Sequence, residues 1–118
     1  MKKKQSYENL PVWTESLDLV KSIYVLTSVF PEDEDHLFPK KLHKNVIEIP
    51  INIAKAMSEE EERQSYFNQA SLHISEIETI LTICQKLNFF EEKDIEKVKE
   101  QLTKISENLK TLIHRLNR

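Results

Sequence analysis

The chain has 118 residues, no glycine, one cysteine and a formal net charge of −3 from 17 basic and 20 acidic residues. Glycine-rich phosphate loops and dinucleotide-binding turns need glycine for positive φ and for close backbone approach, so both are excluded. The length fits one domain, the near-neutral charge gives no global attraction to nucleic acid, and the composition is typical of an all-α protein.

The basic start of the chain does not have the pattern of a targeting segment. Lys2, Lys3 and Lys4 precede no apolar stretch of the kind found in signal peptides, and no apolar run is long enough to span a bilayer. The single cysteine, Cys84, cannot form an internal disulfide. We therefore expect a cytoplasmic protein without a membrane partner.

The chain divides into a flexible basic arm, residues 1–8, and a helical domain, residues 9–118. Asn9 is a candidate N-cap for the first helix, and Pro11 fits its first turn. The residues predicted to form the apolar stripe of this helix are Trp13, Leu17, Val20, Ile23, Tyr24, Thr27 and Phe30. Pro31 and the acidic run 32–35 end it, and a solvated loop is a simpler interpretation of that run than a metal site.

A second helix is predicted to begin at Pro39, where proline is tolerated. Its basic cluster is Lys40, Lys41, His43 and Lys44, and its apolar residues are Leu42, Val46, Ile49, Ile53 and Ala56. Pro50 lies inside this pattern and predicts a kink. Asn52 follows in an otherwise apolar run. We expect it to bond either the backbone groups that Pro50 leaves without partners or Glu76 of the third helix.

The third helix begins with the strongest local signal in the chain. Ser58 and Glu61 have the spacing of a capping box, which predicts a helix from Ser58 to about Leu87. Its apolar stripe is Phe67, Ala70, Ile74, Ile77, Leu81 and Cys84, and a second set, Tyr66, His73, Ile80, Ile83 and Leu87, widens it. This width predicts neighbours on more than one side. After a turn at Asn88, Phe89 and Phe90 are expected to cover the end of the core.

A fourth helix is predicted from about Glu91. Its apolar residues repeat as heptads: Ile95, Val98, Leu102, Ile105, Leu109, Leu112 and Leu116. Four amphipathic helices with short connections favour an antiparallel up-down-up-down four-helix bundle. One extended coiled coil is the lesser alternative, because prolines interrupt the chain.

No residue pattern indicates catalysis. The histidines are His36, His43, His73 and His114, and none ends the Glu-x-x-His motif that di-metal bundles use. Glu76 and Glu78 are two residues apart on a helix and face different directions. We therefore predict no metal, no cofactor and no enzymatic activity. The cluster at Lys40, Lys41, His43 and Lys44 is either a solvated helix face or a nucleic-acid-binding surface.

Several motifs occur in order along the chain: LPVW at 10–13, IYVLT at 23–27, FP at 30–31, IPINIA at 49–54 and SEIET at 75–79. Together they resemble the bacterial four-helix bundle family that includes proteins encoded in intervening sequences of large-subunit ribosomal RNA genes. The accessory protein of diversity-generating retroelements is a relative. The chain differs from the family pattern where Lys55 and Ala56 replace a Glu-Gly pair and where His73 replaces a glycine.

The resemblance implies a ring-shaped homopentamer of antiparallel bundles and, through the retroelement relative, a basic surface that binds nucleic acid. We expect a non-catalytic oligomer that binds RNA or DNA through Lys40, Lys41, His43 and Lys44. The structural residues are expected to be Trp13, Pro50, Asn52 and Glu76. The alternative is a scaffolding homo-oligomer that binds a protein partner.

Overall fold

The computed structural model describes residues 6–31 and 36–117. These residues form four α-helices and no strand: α1 Pro11–Thr27, α2 Leu37–Ser58, α3 Arg63–Lys86 and α4 Glu92–Leu116. Short 3-10 helices lie at Ser6–Asn9 and Glu60–Glu62. The predicted all-α class is confirmed. Residues 1–5 of the predicted arm and the acidic run 32–35 lie outside the described residues.

The helices pack in a closed order around one core. α1 contacts α2 and α4, and α3 contacts the same two helices on their other side. The Cα extents are 48 × 28 × 20 Å, so the molecule is elongated along its helices. This arrangement is consistent with a four-helix bundle.

In α2, α3 and α4, the buried residues are largely those of the predicted apolar stripes. All six residues of the main α3 stripe and all five apolar residues predicted in α2 are buried. In α4 the heptad residues are buried from Ile95 to Leu112, and only Leu116 at the helix end is exposed. Of the second α3 set, Ile80 is buried, whereas Ile83 and Leu87 are exposed. Burial of this much apolar surface is the main force that holds the helices together.

The predicted stripe of α1 is correct only in part. The buried residues of this helix are Val12, Ser16, Leu19, Ile23 and Leu26, and of these only Ile23 was predicted. Trp13, Val20 and Phe30 of the predicted set are partly buried against the core, whereas Leu17 and Tyr24 are exposed. The helix has apolar residues on two faces, so periodicity alone cannot tell which face is buried. The buried Ser16 is tolerated because its hydroxyl donates to the Trp13 carbonyl oxygen at 2.6 Å.

The helix boundaries also differ from the predicted ones. Leu10, not Asn9, precedes α1, although Pro11 occupies the first turn as expected. Ser58 ends α2 and does not begin α3, so the predicted capping box is absent. Instead the Arg63 side chain at the start of α3 donates through Nε to the Ala56 carbonyl oxygen near the end of α2, at 2.9 Å. A cation at a helix C-terminus is favourable for the helix dipole.

Pro50 lies inside α2, which continues through it to Ser58. The expectation for Asn52 is wrong in its partners. Asn52 Nδ2 donates to the Glu48 carbonyl oxygen at 2.8 Å and to Glu48 Oε1 at 3.3 Å, both within α2. The carbonyl that Pro50 leaves without an amide donor is that of Val46, four residues before Pro50, whereas the Asn52 side chain bonds the carbonyl of Glu48. Asn52 therefore does not join α2 to α3.

Aromatic side chains close one end of the core, as predicted. Phe90 is buried, and its ring centroid lies 5.3 Å from that of Phe30. Phe89 lies 5.7 Å from Phe38 in an edge-on arrangement. The turn before these residues has Asn88 at φ 61°, a left-handed conformation that asparagine tolerates better than most residues other than glycine.

Candidate nucleic-acid interface

Three lysines form an exposed basic patch on the first turns of α2. Lys40, Lys41 and Lys44 are exposed. Among residues 6–31 and 36–117, ion pairs form at Lys93 and Lys104, and none involves the three patch lysines. The positive end of the α2 dipole lies in the same place. The patch therefore presents positive charge that no described carboxylate neutralises by direct contact, and this charge is available to an external anion.

His43 belongs to the predicted cluster but is held against α1. Its ring stacks on Tyr24 with a centroid distance of 3.8 Å and an interplanar angle of 7°. His43 Nε2 lies 2.8 Å from Thr27 Oγ1, and that hydroxyl donates to the Tyr24 carbonyl oxygen at 3.1 Å. The hydroxyl oxygen thus accepts a hydrogen bond from the imidazole N–H. His43 joins α1 to α2, and the three lysines are left as the freely exposed cations of the cluster.

Desolvation by burial lowers the pKa of His43 below its ordinary value. The unfolded chain therefore binds a proton more readily than the folded chain. The stability that depends on neutral His43 is present above the unfolded pKa and is lost as the pH falls toward and through the folded pKa. We expect the free energy of unfolding to fall between pH 7.5 and 5.5 by more in the wild type than in His43→Gln.

Urea unfolding at the two pH values measures this difference. His114→Gln replaces an exposed histidine on α4 and is the control, since it should leave the wild-type pH dependence in place. Equal losses in the wild type and His43→Gln would contradict the prediction.

A polar network beneath the lysine patch joins α2 to α3. Asn45 is 5% exposed, and its Nδ2 donates to the Lys41 carbonyl oxygen at 2.9 Å and to Glu76 Oε2 at 3.0 Å. Asn45 Oδ1 lies 2.7 Å from His73 Nδ1. Because an amide oxygen can only accept, His73 Nδ1 donates to Oδ1. The network thus fixes the lysine-bearing part of α2 against α3.

The other predicted structural residues lie apart from the patch. The half-buried Trp13 packs against Tyr7 with ring centroids 5.1 Å apart, so residues 6–8 of the predicted arm include a side chain in contact with α1. Pro50 is buried in α2. Glu76 joins the patch through Asn45, a residue that is not among the predicted site residues. The sequence could have pointed to Asn45, because it is a polar residue at a position that follows the apolar spacing of α2.

An apolar groove runs between α1 and α2, the two helices that the stacked Tyr24 and His43 also join. It has a volume of about 390 Å³. Leu17 is 41% exposed and Ile51 is 40% exposed. Three residues of the predicted α1 stripe line this groove, and two of them, Trp13 and Val20, also pack partly buried against the core. The lining residues are Tyr7, Trp13, Leu17, Val20, Ile47, Pro50, Ile51 and Ala54.

Two further kinds of site are absent from residues 6–31 and 36–117. No group of three or more His, Cys, Asp or Glu side chains is arranged to hold a metal ion. Within the same residues, no helix combines the length and the apolar character that crossing a membrane requires.

These features define a small all-α protein with a basic patch and an exposed apolar groove on one pair of helices. A family model described as 23S rRNA-intervening sequence protein matches residues 8–111. The chain belongs to this family, and the resemblance carried by its ordered motifs is confirmed. No curated protein matches the chain.

Proposed function

We propose that this protein is a cytoplasmic, non-catalytic nucleic-acid-binding accessory protein that acts as a homo-oligomer. Its binding surface consists of Lys40, Lys41 and Lys44. The observation that carries the proposal is the exposure of these lysines without an ion-pair partner among the described residues. Lysine attracts phosphate as a point charge, and phosphate contacts carry no sequence information, so the expected binding depends on salt and is tolerant of sequence.

A ring-shaped oligomer strengthens this proposal despite the net charge of −3. Rotational symmetry places the same patch of each copy at the same level around the ring, and attraction to phosphates sums over the copies. We propose a homopentamer, as the family resemblance implies. Local patches govern close-range binding, since charges more than about 8 Å apart are largely screened at physiological ionic strength.

The up-down-up-down topology is part of the same proposal. Two contacts between neighbouring helices support it: Thr27 near the end of α1 with His43 near the start of α2, and Glu15 near the start of α1 with Asn108 near the end of α4. Each joins an early part of one helix to a late part of the other, as antiparallel neighbours require. This topology places the Lys40 patch at the end of the molecule where α1 finishes.

The test is binding of structured RNA and duplex DNA by the full chain across a salt series. We expect affinity to fall linearly in a plot of log K against log salt concentration. The variant Lys40→Gln/Lys41→Gln/Lys44→Gln should lose about tenfold or more in affinity at low salt and should show a shallower slope.

The matched control is Lys97→Gln/Lys99→Gln/Lys110→Gln, which removes the same charge from exposed positions on α4. It should bind almost as the wild type does. Equal losses in both variants would show that net charge and not the α2 patch governs binding. Absence of binding at low salt by a folded wild-type protein would overturn the proposal.

The second candidate function is a scaffolding homo-oligomer that binds a protein partner. The apolar groove between α1 and α2 favours it, because exposed apolar surfaces of this kind mark protein interaction sites. A protein partner held by apolar contacts would be retained at high salt, whereas nucleic acid held by lysines would be released. The salt series therefore distinguishes the two functions.

A further inference from the structure

The described residues carry two exposed apolar surfaces on different sides of α2. The first is the groove between α1 and α2, together with the exposed Tyr24, which lies three turns after Trp13 on the same side of α1. The second is an outward stripe on α3 that contains Leu72 and Ile83, 61% and 41% exposed. These two residues are eleven positions apart, close to three helical turns, so they lie on the same side of α3. A chain with two such surfaces can bind a neighbour on each side.

Pairs of apolar residues on the two surfaces have the same spacing. Trp13 lines the groove and Tyr24 lies beyond it on the same side of α1. The two are eleven positions apart, as are Leu72 and Ile83 on α3. At a rise of 1.5 Å per residue, each span is about 16 Å. A helix whose two apolar side chains are this far apart can place both on a surface of the same length, in the manner of helix-in-groove recognition.

The charges beside the two surfaces are also complementary. Lys21 is exposed on α1, one turn after Leu17 and beside the groove. On α3, Glu76 is exposed one turn after Leu72 and lies between the two apolar residues. Its Oε2 accepts from Asn45 of the same copy, and a carboxylate has further acceptor positions for a neighbour. Contact between the surfaces would bring this carboxylate toward Lys21 and favour association.

We propose that the groove between α1 and α2 of one copy binds the outward stripe of α3 of a second copy of this chain. The inference rests on the proposed self-association and adds its two surfaces. Because the surfaces differ, the contact is heterologous, and repetition of it closes into a ring when the rotation between copies allows. Groove-to-groove pairing would instead bring Lys21 of both copies to the same interface, where like charges are unfavourable.

The test uses two double variants of the full chain, studied without nucleic acid by light scattering at one protein concentration. Leu17→Glu/Ile51→Glu places charge in the groove, and Leu72→Glu/Ile83→Glu places charge on the α3 stripe. Each variant should be monomeric, because one surface of every contact is disabled. A mixture of the two should form a one-to-one dimer and nothing larger, since each retains the surface that the other lacks.

The control is Val25→Glu/Val29→Glu, which adds the same charge at exposed apolar residues outside both surfaces and should keep the wild-type size. Circular dichroism checks that each variant is folded, and the single variants Leu17→Glu and Leu72→Glu repeat the test with less disruption. An unchanged size for the stripe variant, or a mixture that stays monomeric, would overturn the proposed pairing.

Different experimental results would contradict the proposed pairing and the proposed nucleic-acid function. A monomeric wild type would overturn the pairing and the proposed self-association together. Loss of salt-dependent binding with an intact oligomer would contradict only the nucleic-acid function. An intact oligomer in both double variants would contradict only the surfaces assigned to self-association.

Discussion

Replacement of Phe67 by alanine is expected to lower the free energy of unfolding by about 3–5 kcal/mol. Phe67 lies in the first turns of α3, is 1% exposed and is the largest fully buried side chain among the described residues. Its removal loses the transfer free energy of the ring and leaves a cavity that neighbouring helices fill only in part. For a domain with a total stability of about 5–15 kcal/mol, this is a large fraction.

Urea unfolding followed by circular dichroism measures this loss. All variants are compared at one protein concentration, because self-association contributes to apparent stability by mass action. Phe67→Leu keeps much of the volume and should lose less than Phe67→Ala. Val25→Ala, at a residue that is 63% exposed, should change stability by no more than about 0.5 kcal/mol. A loss below about 1 kcal/mol for Phe67→Ala would contradict the tight packing of the core around this ring.

The sequence predicted the cores of α3 and α4 well because these helices have a dominant apolar face. In α4 the heptad leaves almost no apolar residue on the outer side, so periodicity and burial coincide. α1 is different. Leu19 and Leu17 are both apolar, yet one is buried and the other is 41% exposed. Which face of α1 is covered depends on where α2 and α4 pack, and no property local to α1 specifies that.

Helix ends were harder to predict than helix cores for a related reason. Ser58 has the residue type and the spacing of a capping box, but α2 continues to it and the 3-10 turn at Glu60–Glu62 separates it from α3. The contact from Arg63 to the Ala56 carbonyl spans two helices. A contact of this kind forms only after α2 and α3 have packed, so a local pattern does not predict it.

In the candidate site, too, some features could be predicted from the sequence and others could not. The lysines of the patch are near neighbours on one helix, so composition and spacing alone predicted their shared exposure. The role of His43 was not predictable, because it depends on the stacked ring of Tyr24 from another helix. The expected bond between Asn52 and Glu76 is not formed. Glu76 bonds Asn45 instead, because the register of α2 against α3 decides which asparagine lies opposite it.

The second large expected effect is the loss of unfolding free energy when Asn45, but not Asn52, is replaced by leucine. Asn45 and Asn52 are seven residues apart on α2, and each is 5% exposed. Asn45 bonds both His73 and Glu76 of α3, whereas Asn52 bonds only Glu48 of its own helix. Asn45→Leu removes the bonds between the helices and leaves the half-buried His73 without its acceptor, although the exposed Glu76 carboxylate can return to water. We expect it to lower the free energy of unfolding by about 1–3 kcal/mol.

Asn52→Leu is the matched variant, with the same substitution, helix and burial. The Glu48 carboxylate, which is only partly covered, can return to water, and an apolar side chain suits the neighbouring core. We expect its cost to stay below about 1 kcal/mol. Urea unfolding of both variants measures the difference, and equal costs would contradict a specific role for the network between α2 and α3.

Because Asn45 also bonds the Lys41 carbonyl, its loss should weaken nucleic-acid binding as well, whereas Asn52→Leu should not.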